Sequence, residues 1–312
     1  MSETVDEGVG ASSAEGPLLP DIVPPATTYL LALVAIAIGV LFGPEVAGTP
    51  LQMENPGSPA SLIPIVIGLT VGTVAVLLVV RYGAGELLLR LGFVGLFAYL
   101  PALAVATVIG VLPAIALGLA LFGTLWVHPE WYVVNVTGVA YVGVANAILG
   151  VSLEPWLIVA TLGGMAIYDA YSVYVSEHMQ SLVEGASIMD LPMAFVVPRR
   201  LGFSLRDGQS LLDIDEDVSV LGFGDAFFPG ILAVSAGHFV AAPTVVSWIP
   251  LANLPALGTL VGAVIGMVGI HVLGRLVPRS HPALIVLNPA VILGFLGGAM
   301  AAGVPLASAL GF

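Results

Sequence analysis

The sequence predicts an all-α polytopic membrane protein with nine transmembrane helices. Three observations predict it. Of 312 residues, 58% are hydrophobic and 9% charged, whereas soluble chains carry about 25% charged residues. A soluble domain of this size has too few polar atoms to cover that much apolar surface. The apolar residues also gather in runs of about 17–25, the length that crosses a ~30 Å hydrocarbon core as a helix. Finally, the 7 basic residues, all arginine, fall in loops of matching parity. This composition excludes a soluble enzyme, a nucleic-acid binder and a disordered chain. The absence of Cys excludes disulfides, thiolate nucleophiles and Cys-ligated metal centres.

Taken in order, residues 1–24 are polar and acidic (Glu3, Asp6, Glu7, Glu15, Asp21), with no basic n-region of a signal peptide. They read as a disordered cytoplasmic tail. Spans one to six fall within 25–177, at 25–42, 61–80, 87–108, 110–127, 131–151 and 155–177. The split between the third and fourth rests on Gly110 and Pro113, both helix breakers. Residues 178–217 form a polar loop with an acidic cluster at Asp213, Asp215, Glu216 and Asp217. Spans seven to nine follow within 218–312, at 218–241, 253–276 and 282–302. Gly258, Gly262 and Gly266 repeat at helical spacing in span eight, a pattern for close helix packing.

Arg81 and Arg90 flank one loop, Arg199, Arg200 and Arg206 sit in a second, and Arg275 and Arg279 in a third. With nine spans all three loops share one side, which the positive-inside rule assigns to the cytoplasm. The N-terminus is then cytoplasmic and the C-terminus outside, in the cell membrane. The net charge is −13 with no Lys, which argues against nucleic acid as a partner. It suits a cytoplasm of very high salt, where the Debye length is short, and so a halophilic prokaryote.

Two carboxylates stand inside spans, Asp169 in the sixth and Asp225 in the seventh. An ionisable residue inside a bilayer costs several kcal/mol and by default marks function. Counted from Pro155, Asp169 lies roughly 21 Å along its span. Counted from Val218, Asp225 lies roughly 10 Å along an antiparallel neighbour. The two therefore reach similar depths near the cytoplasmic side. Facing carboxylates in low dielectric share a proton. One takes a proton from water while the other protonates a scissile carbonyl, with no metal or cofactor. Two other readings stand beside this one: a proton- or cation-coupled transporter using the Asp pair, and a non-catalytic membrane scaffold.

The flanking residues are Ile167-Tyr168-Asp169-Ala170-Tyr171, Leu221-Gly222-Phe223-Gly224-Asp225 and, opening span nine, Pro282-Ala283-Leu284. Pro-Ala-Leu recurs at Pro101 and Pro255, so only position singles out the third copy. Tyr-Asp, Gly-x-Gly-Asp and Pro-Ala-Leu, in that order on those spans, resemble the presenilin and signal peptide peptidase family of intramembrane aspartyl proteases. The resemblance extends over all nine spans, looks archaeal in its small size, and departs from presenilin in a much shorter loop between spans six and seven. It implies a presenilin-like fold and Asp169 and Asp225 as the catalytic dyad. It also implies that Tyr168, Gly222, Phe223, Gly224, Pro282, Ala283 and Leu284 shape the active site. The implied partners are transmembrane helices of substrate proteins within the lipid bilayer, and no cofactor.

In the loop, Leu191-Pro192-Met193-Ala194-Phe195-Val196-Val197-Pro198 is β-rich and bracketed by prolines. It reads as a short extended segment, able to bind an unwound peptide by strand addition or to anchor the loop at the membrane surface. Other chemistries find no support. The five histidines (His128, His178, His238, His271, His281) form no His-Glu-x-x-His, and no phosphate-binding loop occurs.

Overall fold

The computed structural model describes residues 18–82, 85–171, 193–205, 218–276 and 283–312. Among these residues nine long helices follow one another, with a short helical turn at the end. They are α1 (Val23–Val46), α2 (Ile63–Tyr82), α3 (Glu86–Val108), α4 (Val111–Val127), α5 (Trp131–Ser152), α6 (Pro155–Tyr171), α7 (Phe223–Phe239), α8 (Leu254–Leu276), α9 (Leu284–Ala301) and the terminal α10 (Leu306–Leu310). Two strands, β1 (Ala194–Pro198) and β2 (Val218–Gly222), pair antiparallel, with Val196 opposite Val220.

Local chemistry explains the boundaries. Prolines 24 and 25 open α1, where a missing N–H is harmless. Between α3 and α4 the chain turns at Gly110, whose φ of 126° is closed to other residues without strain. This is the break expected between the third and fourth spans. The extended segment expected before Pro198 is β1.

Two expectations are corrected. Residues 218–222 are not the start of the seventh span: Val-Ser-Val-Leu-Gly pairs with β1, and the helix begins at Phe223. β-branched residues with a partner strand in reach gain more from pairing than from a helical turn. Leu18 to Ile22, the end of the expected tail, are tied to the segment after β1. The Leu19 N–H donates to Arg199 O at 2.9 Å, Arg199 Nε donates to Leu19 O at 3.1 Å, and Arg199 forms an ion pair with Asp21. The remaining expectations for 1–17, 172–192, 206–217 and 277–282, including Pro282, lie outside the described residues.

The core runs down the middle of the bundle. α5 packs against α1, α3, α7 and β1, and is the most deeply buried helix of spanning length. Phe195, Leu162, Leu232, Leu287 and Phe295 are fully buried. α8 and α9 form the closest pair. Gly258, Gly262 and Gly266 lie directly against Gly294, Ala290 and Leu287, leaving no room for a Cβ. The small-residue repeat is therefore a packing seam. The exterior is apolar: Leu112 is 82% exposed, and Leu88, Leu119, Ile167 and Leu293 also face outward. Among the described residues six helices are long and apolar enough to cross a membrane. The protein is an integral, multi-pass membrane protein, because only a lipid surround makes such an exterior favourable.

Candidate active site

Asp169 lies near the end of α6 and is 5% exposed. Its Oδ2 accepts the backbone N–H of Leu284 at 2.9 Å. Leu284 opens α9, with Ala283 as the cap residue. The first N–H groups of a helix have no internal partner, so the start of α9 supplies a donor to a buried carboxylate. The main chain at Leu284, the last residue of the third Pro-Ala-Leu, thus touches Asp169.

Asp225 lies in the first turn of α7, three residues after β2 ends. Its carboxylate is partly buried and lies within electrostatic range of Asp169, so the two negative charges repel. The sixth and seventh helices thus carry the two sequence-predicted carboxylates within electrostatic range of each other. The shortening of the seventh helix moves Asp225 from seven residues inside the expected span to the first turn of the helix.

The other predicted residues divide by role. Phe223 is buried among Phe195, at 4.6 Å between ring centroids, and Phe97, at 5.5 Å. Its ring also fills the space where a side chain at Gly138 would stand. It anchors the strand-to-helix corner to α5 and α3. Gly222 and Gly224 do not serve tight packing. A Cβ at Gly222 would meet only Asp225 Oδ2 at 3.7 Å, and one at Gly224 only Phe228 at 3.9 Å. Both flank the carboxylate, and among the described residues nothing else comes within contact distance of either position. Tyr168 is 68% exposed, on a different side of α6 from Asp169.

Two residues at the site escaped sequence reasoning. Tyr29 of α1 lies within electrostatic range of Asp225 and stacks edge-on against His271 of α8, with centroids 6.3 Å apart. Asn135 of α5, 3% exposed, bonds β1 twice: its Nδ2 donates to Val196 O at 2.7 Å, and the Val196 N–H donates to its Oδ1 at 2.9 Å. An amide in an otherwise apolar run was the signal available for Asn135. For Tyr29 the sequence carried none. Among the described residues no group of His, Asp and Glu is arranged to hold a metal ion.

The chain is similar to known proteins over most of its length. Residues 27–304 match the family model described as signal-peptide peptidase, presenilin aspartyl protease. Mouse signal peptide peptidase-like 2A is 27% identical over 176 residues, 52% of this chain and 31% of the mouse protein's length. A solved presenilin-family intramembrane aspartate protease superposes with a TM-score of 0.61 at 26% identity, covering 91% of this chain and 100% of that one. The chain belongs to the signal-peptide peptidase and presenilin family of aspartyl proteases.

Proposed function

We propose that the protein is an intramembrane aspartyl endopeptidase that hydrolyses peptide bonds within transmembrane helices. What supports this reading is that Asp169, held by the Leu284 N–H, and Asp225, at the head of α7, lie within electrostatic range of each other. Like charges in low dielectric resist double ionisation, so the pair holds one proton between them. The ionised member takes a proton from an attacking water. The protonated member donates to the carbonyl oxygen as the tetrahedral carbon forms, and the proton then passes to the leaving amine.

A helical substrate has its peptide groups closed by internal hydrogen bonds, so cleavage requires local unwinding. β2 leads into Asp225 and offers a backbone edge for the unwound segment. The open space at Gly222 and Gly224 admits a main chain beside the carboxylate. Ala283 and Leu284, at the start of α9, stand beside Asp169, and the family resemblance adds Pro282 and Tyr168 to the residues that shape the site. In this reading all nine helices cross the bilayer, the arginine loops and N-terminus are cytoplasmic, and the acidic, lysine-free composition belongs to a halophilic archaeon.

The test is incubation of purified protein with a labelled transmembrane peptide in detergent, alongside Asp169→Asn and Asp225→Asn. The wild type yields fragments, and each variant is inactive while still inserting and folding. Wild-type turnover in either variant sinks the dyad. Cation-dependent uptake into vesicles without fragments would favour a transporter.

A further inference from the structure

The position of Asn135 has a consequence for how a substrate meets the dyad. In an antiparallel pair, opposite residues alternate between those that exchange hydrogen bonds and those whose N–H and C=O point away from the partner strand. Both main-chain groups of Val196 are taken by Asn135, on the side away from β2. The pair Val196–Val220 is therefore of the second kind. By the same parity the N–H and C=O of Val220 point outward from the far edge of β2, as does the N–H of Gly222. The bond from the Phe223 N–H to Met193 O, at 3.1 Å, fits this register. Among the described residues no backbone group bonds the N–H or C=O of Val220, whose side chain is 45% exposed.

Asn135 is not alone in fixing this assembly to α5. One turn earlier, Glu130 accepts the Ser204 hydroxyl at 2.7 Å and the Leu205 N–H at 3.3 Å. The start of α5 thus grips β1 and the segment that follows it. A carboxamide facing a peptide group reproduces the donor–acceptor pair of a neighbouring strand.

We infer that Asn135 is a positioning residue. It clamps the outer edge of β1 to α5 and so holds in place, through the β1–β2 ladder, the β2 edge on which an unwound substrate adds, which sets the peptide bond presented to Asp169 and Asp225. The inference rests on the proteolytic reading above. Without Asn135 both main-chain groups of Val196, a residue only 3% exposed, lose their partner, and β1 is free to slide along α5. Because side chains alternate along a strand, a slip that keeps the same face buried moves by two residues.

The experiment uses one labelled transmembrane peptide, product masses, kcat and KM, and thermal unfolding. Asn135→Leu removes both bonds at similar volume. Val196→Pro removes the N–H that Asn135 accepts while leaving the hydrogen bonds of the β1–β2 ladder in place. Asn135→Asp keeps the acceptor for the Val196 N–H. The wild type gives one dominant cut. In Asn135→Leu and Val196→Pro, cuts appear an even number of residues from it, and kcat falls about 10-fold while KM changes little. Asn135→Asp retains the dominant cut at intermediate kcat. A purely structural role would lower thermal stability without moving the products. Folded Asn135→Leu or Val196→Pro that cuts at the wild-type bond with wild-type kcat overturns the inference. If Asn135→Leu fails to fold, Val196→Pro decides. A wild type that yields no fragments defeats the proteolytic reading and this inference together, whereas wild-type cleavage with unmoved products defeats only the role of Asn135.

Discussion

Replacing Gly224 by Ala separates a glycine kept for substrate from one kept for packing. Gly224 is the second residue of α7, exposed, and free of the left-handed conformation that would exclude a side chain. An added Cβ would meet nothing closer than Phe228 at 3.9 Å, an ordinary contact. Within the folded chain the methyl group is therefore harmless. In the unfolded chain it restricts the backbone, and in the helix it improves propensity. Together these stabilise by about 0.5 kcal/mol, roughly 1–2 °C in unfolding temperature for a chain this long.

The same methyl group stands in the open space beside Asp225, where the proposed substrate main chain passes. A displacement of about 1 Å there is enough to lower the cleavage rate 10-fold or more. Gly262→Ala is the control. Its Cβ would stand 2.9 Å from the Cα of Val291 and closer still to the Ala290 carbonyl oxygen, both main chain. α8 and α9 must separate, destabilising by about 1–3 kcal/mol with little loss of rate per folded molecule. The assay is initial cleavage rate and detergent thermal unfolding for both variants. A Gly224→Ala protein that cleaves at the wild-type rate, or that loses more than about 1 kcal/mol of stability, refutes the reasoning.

Three further outcomes are expected. Pro282→Ala and Leu284→Ala lower the initial rate strongly with little loss of stability, whereas Pro101→Ala and Pro255→Ala shift unfolding more than turnover. Equal activity loss at 255 and 282 at matched stability would remove the special role of the third Pro-Ala-Leu. Phe223→Ala, which empties the slot between Phe195, Phe97 and Gly138, destabilises by about 3–5 kcal/mol; a shift below about 1 kcal/mol by thermal unfolding would contradict its anchoring role. A cysteine placed near Arg200 resists an impermeant thiol reagent applied to intact cells, since the native chain has no Cys to confuse the signal; labelling from outside would reverse the orientation.

What the sequence by itself determined is what the surrounding solvent enforces residue by residue. Lipid demands long apolar runs, makes Asp169 and Asp225 conspicuous, and leaves Gly110 as a break between two runs. These are local signals, readable without knowing any neighbour. Counting depth along spans six and seven set the two carboxylates side by side, and the resemblance of Tyr-Asp, Gly-x-Gly-Asp and Pro-Ala-Leu to a known family added their role as a catalytic dyad. Only the tertiary structure decided whether 218–222 is helix or strand, because the answer depends on β1 lying alongside. It also assigned Asp169 a main-chain donor 115 residues away in Leu284, and Val196 a partner 61 residues away in Asn135. The two glycines of Gly-x-Gly-Asp and the three of span eight look alike in sequence. They differ because the first pair face open space and the others face a neighbouring backbone. Hydropathy records what each residue prefers as its solvent; hydrogen bonding and close packing depend on which distant segment arrives beside it, and that is set only when the helices assemble.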